Sequence, residues 1–150
     1  KQKTAYEIMP SLVGSEMCIR DRFERKGLQF VEDVPCDLPP VYADRNAIFV
    51  VMENLVSNAV KFTSKGEVKV SAKVEGDKVR IIVSDTGAGI PSDEQERIFQ
   101  LFYRRGQEKG VGVGLTLVRE MLHIHDTEID VRSTPGKGST FSFSLPVWNP

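Results

Sequence analysis

Nothing in this 150-residue chain stays apolar for the ~20 consecutive positions that a bilayer-spanning helix needs. The longest apolar-leaning run, around Ala47 to Val60, is interrupted by Glu53, Asn54 and Asn58. Charge of one sign is missing too. Against 20 Lys and Arg stand 21 Asp and Glu, a formal net charge of -1, and no basic cluster offers a footprint for nucleic acid. Cysteine is scarce: Cys18 and Cys36 have neither metal-site spacing nor enough partners for a disulfide framework, which fits a reducing, cytoplasmic setting. No internal repeat is present. What remains is ordinary globular material, 40% hydrophobic and 27% charged, with one domain's worth of chain to bury a core.

Residues 1–22 read differently from the rest. Met9 to Arg22 sustains no period of two or 3.6, and it resembles translated adapter read-through; a natural linker or frayed helix end is the equal alternative. From Phe23 to the C-terminus the pattern is organised, and residues 23–150 are taken as the domain. Leu28 to Val31 alternates as a short strand, followed by a loop punctuated by Pro35, Pro39 and Pro40. Asp44 is a suitable N-cap for a long helix with apolar residues at Ile48, Met52, Leu55, Val56, Ala59 and Val60. Glu67–Ala72 and Lys78–Val83 alternate around Glu75-Gly76-Asp77 as a hairpin. Ser92 and Gln95 have the spacing of a capping box opening a short helix. A second helix is expected from about Gly112–Gly114 to about His123. Two closing strands follow, Glu128–Ser133 and Thr140–Leu145, the latter with one buried and one wetter face. The class is α+β, a mixed sheet with helices packed on one face.

Three segments carry chemistry. Asn54, Asn58 and Lys61 fall at i, i+4 and i+7 and share one face of the long helix. An amide oxygen suits magnesium, which also takes phosphate oxygens, and Lys61 can meet a phosphate. An isolated Asn pair is more often a polar surface, but Asn is a mediocre helix former to use twice in one helix. Asp85 ends an apolar strand and runs into Thr86-Gly87-Ala88-Gly89-Ile90. A carboxylate there can accept from an adenine amino group while the glycines let the backbone approach the base; a plain Asx turn is the alternative. Gly110, Gly112 and Gly114 precede the second helix, whose N-terminus favours phosphate. This is neither a Walker loop nor a dinucleotide fingerprint. Between them, Tyr103 to Lys109 could be a mobile lid whose Arg104 meets the γ-phosphate; Arg105 is read as surface.

Taken together, Phe23 to Pro146 resembles the catalytic, ATP-binding domain of sensor histidine kinases, within the wider group shared with gyrase, Hsp90 and MutL. The resemblance implies a two-layer α/β sandwich with a mixed, mostly antiparallel sheet. Asn54 to Thr63 matches the N box, which makes Asn58 the magnesium ligand and Lys61 a phosphate contact, with Asn54 and Phe62 beside the nucleotide. Asp85 to Ile90 matches the first glycine box, with Asp85 the adenine reader and Gly87, Gly89 and Ile90 around the base. Ile98 to Arg104 resembles the phenylalanine box, in which Phe99 and Phe102 anchor the lid. Gly110, Gly112, Gly114 and Leu115 match the second glycine box, and Thr140 is expected to line the pocket. Asn58, Lys61 and Arg104 are the implied catalytic set, and ATP and Mg2+ the implied cofactors.

The sequence departs from the family at Gln100-Leu101, where Glu-Pro is common, at Val113, and at Asp126-Thr127, where two glycines are usual. Gyrase-like and Hsp90-like members carry a water-activating glutamate where Asn54 stands. Glu53 is adjacent but about 100° round the helix, and could at most polarise an attacking histidine from the rim. His123 and His125 are the only histidines; neither lies in a phosphoacceptor motif, and a charge–dipole role at a helix C-terminus is the simplest account of both. The implied partners are therefore a histidine-bearing dimerisation domain of a longer kinase and a response regulator, with no nucleic acid and no direct membrane contact. The implied location is cytoplasmic, in a parent protein that an anchor elsewhere could tether to a membrane. Two rival functions share the motifs: an anti-sigma-type serine kinase, and a degenerate nucleotide-binding module without phosphotransfer.

Overall fold

A computed structural model of the chain describes residues 4–6, 23–35, 37–100 and 114–148. Among the described residues, seven strands and two long α-helices follow in chain order: β1 (Thr4–Tyr6), β2 (Gln29–Asp33), β3 (Val41–Ala43), α1 (Arg45–Phe62), β4 (Glu67–Glu75), β5 (Lys78–Asp85), α2 (Gly114–Ile124), β6 (Asp130–Thr134) and β7 (Gly138–Pro146). A five-stranded sheet has the order β2-β4-β5-β7-β6; β2 pairs parallel to β4 and every other neighbour is antiparallel. This is the mixed, mostly antiparallel sheet that the sequence resemblance implies. A two-stranded sheet, β1-β3, was not foreseen from sequence. Its β3 is tied to the end of β7 by a bridge between Val41 and Val147 and by the Trp148 N–H donating to the Pro40 carbonyl.

Alternation along the strands decides what faces the helices. Val68, Val70 and Ala72 of β4, Val79, Ile81 and Val83 of β5, and Phe141, Phe143 and Leu145 of β7 are all buried. Against them lie Ile48, Val51, Met52, Leu55, Val56, Ala59 and Val60 of α1, with Val118 and Leu122 of α2. The opposite sheet face is polar but not uniformly wet. The Arg80 guanidinium donates to Ser142 Oγ at 2.7 Å and lies 3.6 Å from Asp130, which leaves Ser142 only 2% exposed.

Two local expectations are corrected. Ser92 and Gln95 do not form a capping box, and the expected short helix starts later. Residues 92–96 are turns leading to a single 3₁₀ turn, Arg97–Phe99, because the Gln95 amide donates instead to the Ile90 and Ser133 carbonyls. His125 is not a solvated cation at a helix end either. Its side chain is 4% exposed, Nε2 accepts from the Asp44 N–H at 2.9 Å, and Nδ1 lies 2.7 Å from the Met121 carbonyl. A ring nitrogen can accept only when it carries no proton, so the ring is neutral with its proton on Nδ1, donated to Met121. One imidazole thereby occupies an unpaired carbonyl at the end of α2 and an N–H at the start of α1. Asp44, which does cap α1, accepts from the N–H groups of Asn46 and Ala47 through Oδ1. The missing glycine after α2 is tolerated because Asp126 itself adopts the left-handed conformation, φ 56°.

His125→Ala orphans one buried group on each of two helices, and is expected to lower unfolding free energy by about 2–4 kcal/mol. Urea denaturation measures this; a loss under about 0.5 kcal/mol, the ordinary surface range, would mean the ring does not join the helices.

Candidate functional site

The long helix acts as a ruler along which the three sequence segments meet. Its C-terminal end abuts the turn after β5: the Phe62 carbonyl accepts from the Ala88 N–H, and a side-chain carbon on Gly87 would collide with that same carbonyl. Two turns earlier, Asn54 faces the start of α2, where a carbon on Gly114 would stand 2.7 Å from Asn54 Oδ1. Eight residues of helix separate the two meeting points, about 12 Å. Asn58 lies between them, half-buried, and its carboxamide makes no hydrogen bond among the described residues. Lys61 is exposed one turn from Asn58, and the helix end beneath it is capped by Lys26, whose ammonium donates to the Val60 carbonyl at 2.6 Å.

Asn54 is oriented rather than loose. Its amide nitrogen donates back to the Val50 carbonyl at 2.8 Å, which turns the oxygen towards Gly114. Asn58 and Asn54 therefore present neutral, hard oxygen donors on one helix face. Among the described residues no three His, Cys, Asp or Glu side chains gather into a metal cage. Donors of this type suit a cation that arrives with its own phosphate ligands.

Asp85 sits at the end of β5, with Oδ1 accepting from the Gly87 N–H at 2.9 Å and the Ser139 N–H at 3.3 Å. Burial raises its carboxyl above the usual range, and those two N–H groups partly pull it back. The turn that follows is stitched to the β6–β7 connection. Ser133 Oγ accepts from the Ile90 N–H, and the Ala88 carbonyl accepts from the Gly136 N–H at 2.7 Å. Gly89 (φ 75°) and Gly138 (φ 114°) hold left-handed backbone where a side-chain carbon would strike the Thr134 and Asp85 carbonyls respectively. Ile90 and Leu115 are half-buried beside the core, and Phe62 is half-buried at the helix end.

Thr140 is not at this site. The register pairs it with Ser84 and Arg132, on the sheet face opposite to the helices, whereas Ser139 pairs with Asp85 and shares its face. Ser139 replaces it as the β7 residue beside Asp85. Sequence reasoning also missed Ser133 and Gln95, which brace the glycine turn, and Thr63, which is wholly buried beside it. Phe102, Arg104, Gly110 and Gly112 lie outside the described residues. Phe99, by contrast, is buried, its carbonyl accepts from Thr116 Oγ1 at 2.9 Å, and Arg119 lies over its ring.

With this geometry in hand, known proteins can be compared. Residues 43–149 match the family model described as histidine kinase-, DNA gyrase B-, and HSP90-like ATPase. The chain is 46% identical over 133 residues to the adaptive-response sensory kinase SasA of Crocosphaera subtropica, covering 85% of this chain and 35% of that protein. It is 44% identical over 136 residues to the protein of the same name from Thermosynechococcus vestitus, covering 87% of this chain and 36% of the relative. The chain thus spans about a third of the length of these relatives. Among solved structures, full-length ShkA in complex with AMPPNP superposes with a TM-score of 0.86 at 29% identity, over 99% of this chain and 32% of that one. The catalytic domain of histidine kinase ThkA superposes at 0.87 over 98% of this chain and 97% of that one; at 24% identity that likeness concerns the fold alone.

The raised carboxyl of Asp85 carries a signed consequence. A folded acid that holds its proton more tightly than the unfolded chain supports folding fully below the ordinary carboxylate range, and that support is lost as pH rises through the raised value. At pH 7 the ionised side chain is a burden on stability. Asp85→Asn keeps an oxygen for the two N–H groups but turns an N–H₂ towards any amino group on a base. We expect unchanged or higher stability at pH 7 in urea. We expect ATP affinity to fall by about 10–150-fold in calorimetry, the worth of one charge-assisted hydrogen bond. Unchanged ATP affinity would remove Asp85 from base recognition.

Proposed function

The chain belongs to the histidine kinase-, DNA gyrase B- and HSP90-like ATPase family, and from that premise we propose that residues 23–150 are the ATP-binding catalytic domain of a two-component sensor histidine kinase. The observation that carries the reading is the convergence along α1: the base-reading turn meets its C-terminal end at Phe62, and the glycine-led start of α2 meets Asn54 two turns back. On this reading Asp85 accepts from the adenine amino group, with Gly87, Gly89, Ile90, Phe62 and Leu115 around the base. Lys61 and the N-terminus of α2 at Gly114 draw the phosphates towards Asn58. Arg104, Phe102, Gly110 and Gly112 complete the proposed set.

Asn58, with Asn54 beside it, would hold magnesium, and the donor chemistry fits: uncharged amide oxygens that leave room for phosphate and water ligands. When bound, the ion supplies charge neutralisation at the phosphates. The chain's own contribution is positioning, fixing the base at one end of α1 so that the terminal phosphate projects at the other. The acceptor is a histidine on a separate dimerisation domain, whose ring nitrogen takes the γ-phosphoryl group as the bond to the bridging oxygen breaks and ADP leaves. A response regulator then consumes the phosphohistidine. The cytoplasmic location follows from that chemistry, and no helix among the described residues is long and apolar enough to cross a membrane. Residues 1–22 are outside the proposed domain.

The test mixes the chain with a histidine-bearing dimerisation domain from a related sensor kinase and γ-labelled ATP. Acid-labile, alkali-stable label on that domain is expected, whereas acid-stable label would mark a serine kinase and no label a binding module. Asn58→Ala should abolish transfer while leaving magnesium-free nucleotide binding within about twofold, well under 1 kcal/mol. Normal transfer by that variant would remove Asn58 from the metal site.

A further inference from the structure

Thr63, the residue that ends α1, is 0% exposed, and its hydroxyl is the buried side-chain atom left without a hydrogen-bond partner among the described residues. A buried hydroxyl without a partner costs about 1–3 kcal/mol, and valine would fill the same volume without that cost. Its surroundings give it a target. The position a side-chain carbon on Gly87 would take is 2.8 Å from Thr63 Oγ1 and 3.0 Å from Asp85 Oδ1. Hydroxyl and carboxylate converge on one point, and it is the absence of a carbon at Gly87 that leaves that point open.

Both acceptors nearby already hold backbone donors. The Phe62 carbonyl beside the same point already accepts from the Ala88 N–H at 3.2 Å. Asp85 Oδ1 holds the Gly87 N–H at 2.9 Å but the Ser139 N–H only at 3.3 Å, so one of its two bonds is long. A carboxylate whose outer oxygen is drawn to a base pivots about its inner one. The Thr63 hydroxyl, unpartnered among the described residues and beside the same point, is then a side-chain donor able to follow it.

We infer that Thr63 is a positioning residue for base recognition, whose hydroxyl donates to the Asp85 carboxylate when a purine carrying a 6-amino group is bound. It sets the selectivity of the pocket for 6-aminopurines without touching the base. Burial of the Asp85 carboxylate gives a further donor something to offset. The inference rests on the nucleotide-binding reading above, and its test separates the two.

The experiment is calorimetric titration of the full chain with ATP and with inosine triphosphate, whose position 6 is a carbonyl and cannot donate to Asp85. The wild-type chain should prefer ATP by at least about tenfold. Thr63→Val should lose about 5–10-fold in ATP affinity, change inosine triphosphate affinity by less than about twofold, and unfold at an equal or higher urea concentration. Thr63→Ser should restore ATP affinity. A wild-type chain that binds neither nucleotide, or both alike, overturns the base-reading role of Asp85 and the inference with it. A wild-type chain that discriminates, with Thr63→Val keeping the full ATP preference or losing both ligands equally, overturns the inference alone.

Discussion

One oxygen atom, Asp85 Oδ1, holds the end of the sheet together. It accepts from the Gly87 and Ser139 N–H groups, so the turn leaving β5 and the first paired residues of β7 share an acceptor. The close approaches around it follow from that sharing. Gly138 is pressed against the Asp85 carbonyl, Gly87 against the Phe62 carbonyl and Gly89 against Thr134, none of which admits a side-chain carbon. Ser133 and Gln95 then lock the outer limb of the turn to β6. The glycines of this region are consequences of packing backbone on backbone around a half-buried acceptor. A carboxylate is a poor choice for that structural task alone, since its desolvation works against it. Its second oxygen makes no hydrogen bond among the described residues and is the atom that the proposed base recognition would use.

The helix that receives this turn is fixed at both ends by unlike means. At its start Asp44 caps two N–H groups and gives its own N–H to His125, which reaches back from the end of α2. At its finish Lys26 covers the Val60 carbonyl, and the Phe62 carbonyl takes the Ala88 N–H. The His125 link sets α1 and α2 relative to each other at one end of their contact, and Asn54 against Gly114 sets them at the other. A distance along α1 becomes, by this arrangement, a distance between the turn after β5 and the start of α2, the two ends to which the proposal assigns base and phosphates. Rigidity of the ruler matters more here than the affinity of any single contact.

What could be read from sequence was what is local. The apolar spacing of α1, its Asp44 cap and the hairpin around Glu75-Gly76-Asp77 depend on neighbours a few positions away, and all appear as expected, with Glu75 drawn into the strand opposite Lys78. Bonds between distant segments were illegible. Nothing near Gln95 announces a partner 38 residues on at Ser133, nor near His125 one 81 residues back at Asp44. The three-residue β3 exists through pairing with β1 and a bridge to Val147, both distant in sequence. The Thr140 error is of another kind, because the signal was present. Phe141, Phe143 and Leu145 face the core, so parity alone places Ser139 with them and Thr140 on the far side. A motif match outranked an alternation that should have overruled it.

The orientation of Asn54 bears on whether this pocket would spend a phosphate on water. In the gyrase-like and Hsp90-like branches of the family a glutamate at this position activates the attacking water. Here the side chain is an amide with no useful basicity, and its nitrogen is occupied by the Val50 carbonyl. Even a favourable rotation would offer water only a weak acceptor. Glu53 cannot inherit the role from the same face, since one residue along an α-helix turns the side chain by about 100°. Glu53 also has an interaction of its own within the structure. A pocket that binds and aligns a triphosphate but supplies no base holds the phosphoryl group until a better nucleophile than water enters. An unprotonated imidazole needs no base from the pocket to attack, which makes the amide at 54 consistent with transfer and ill suited to hydrolysis.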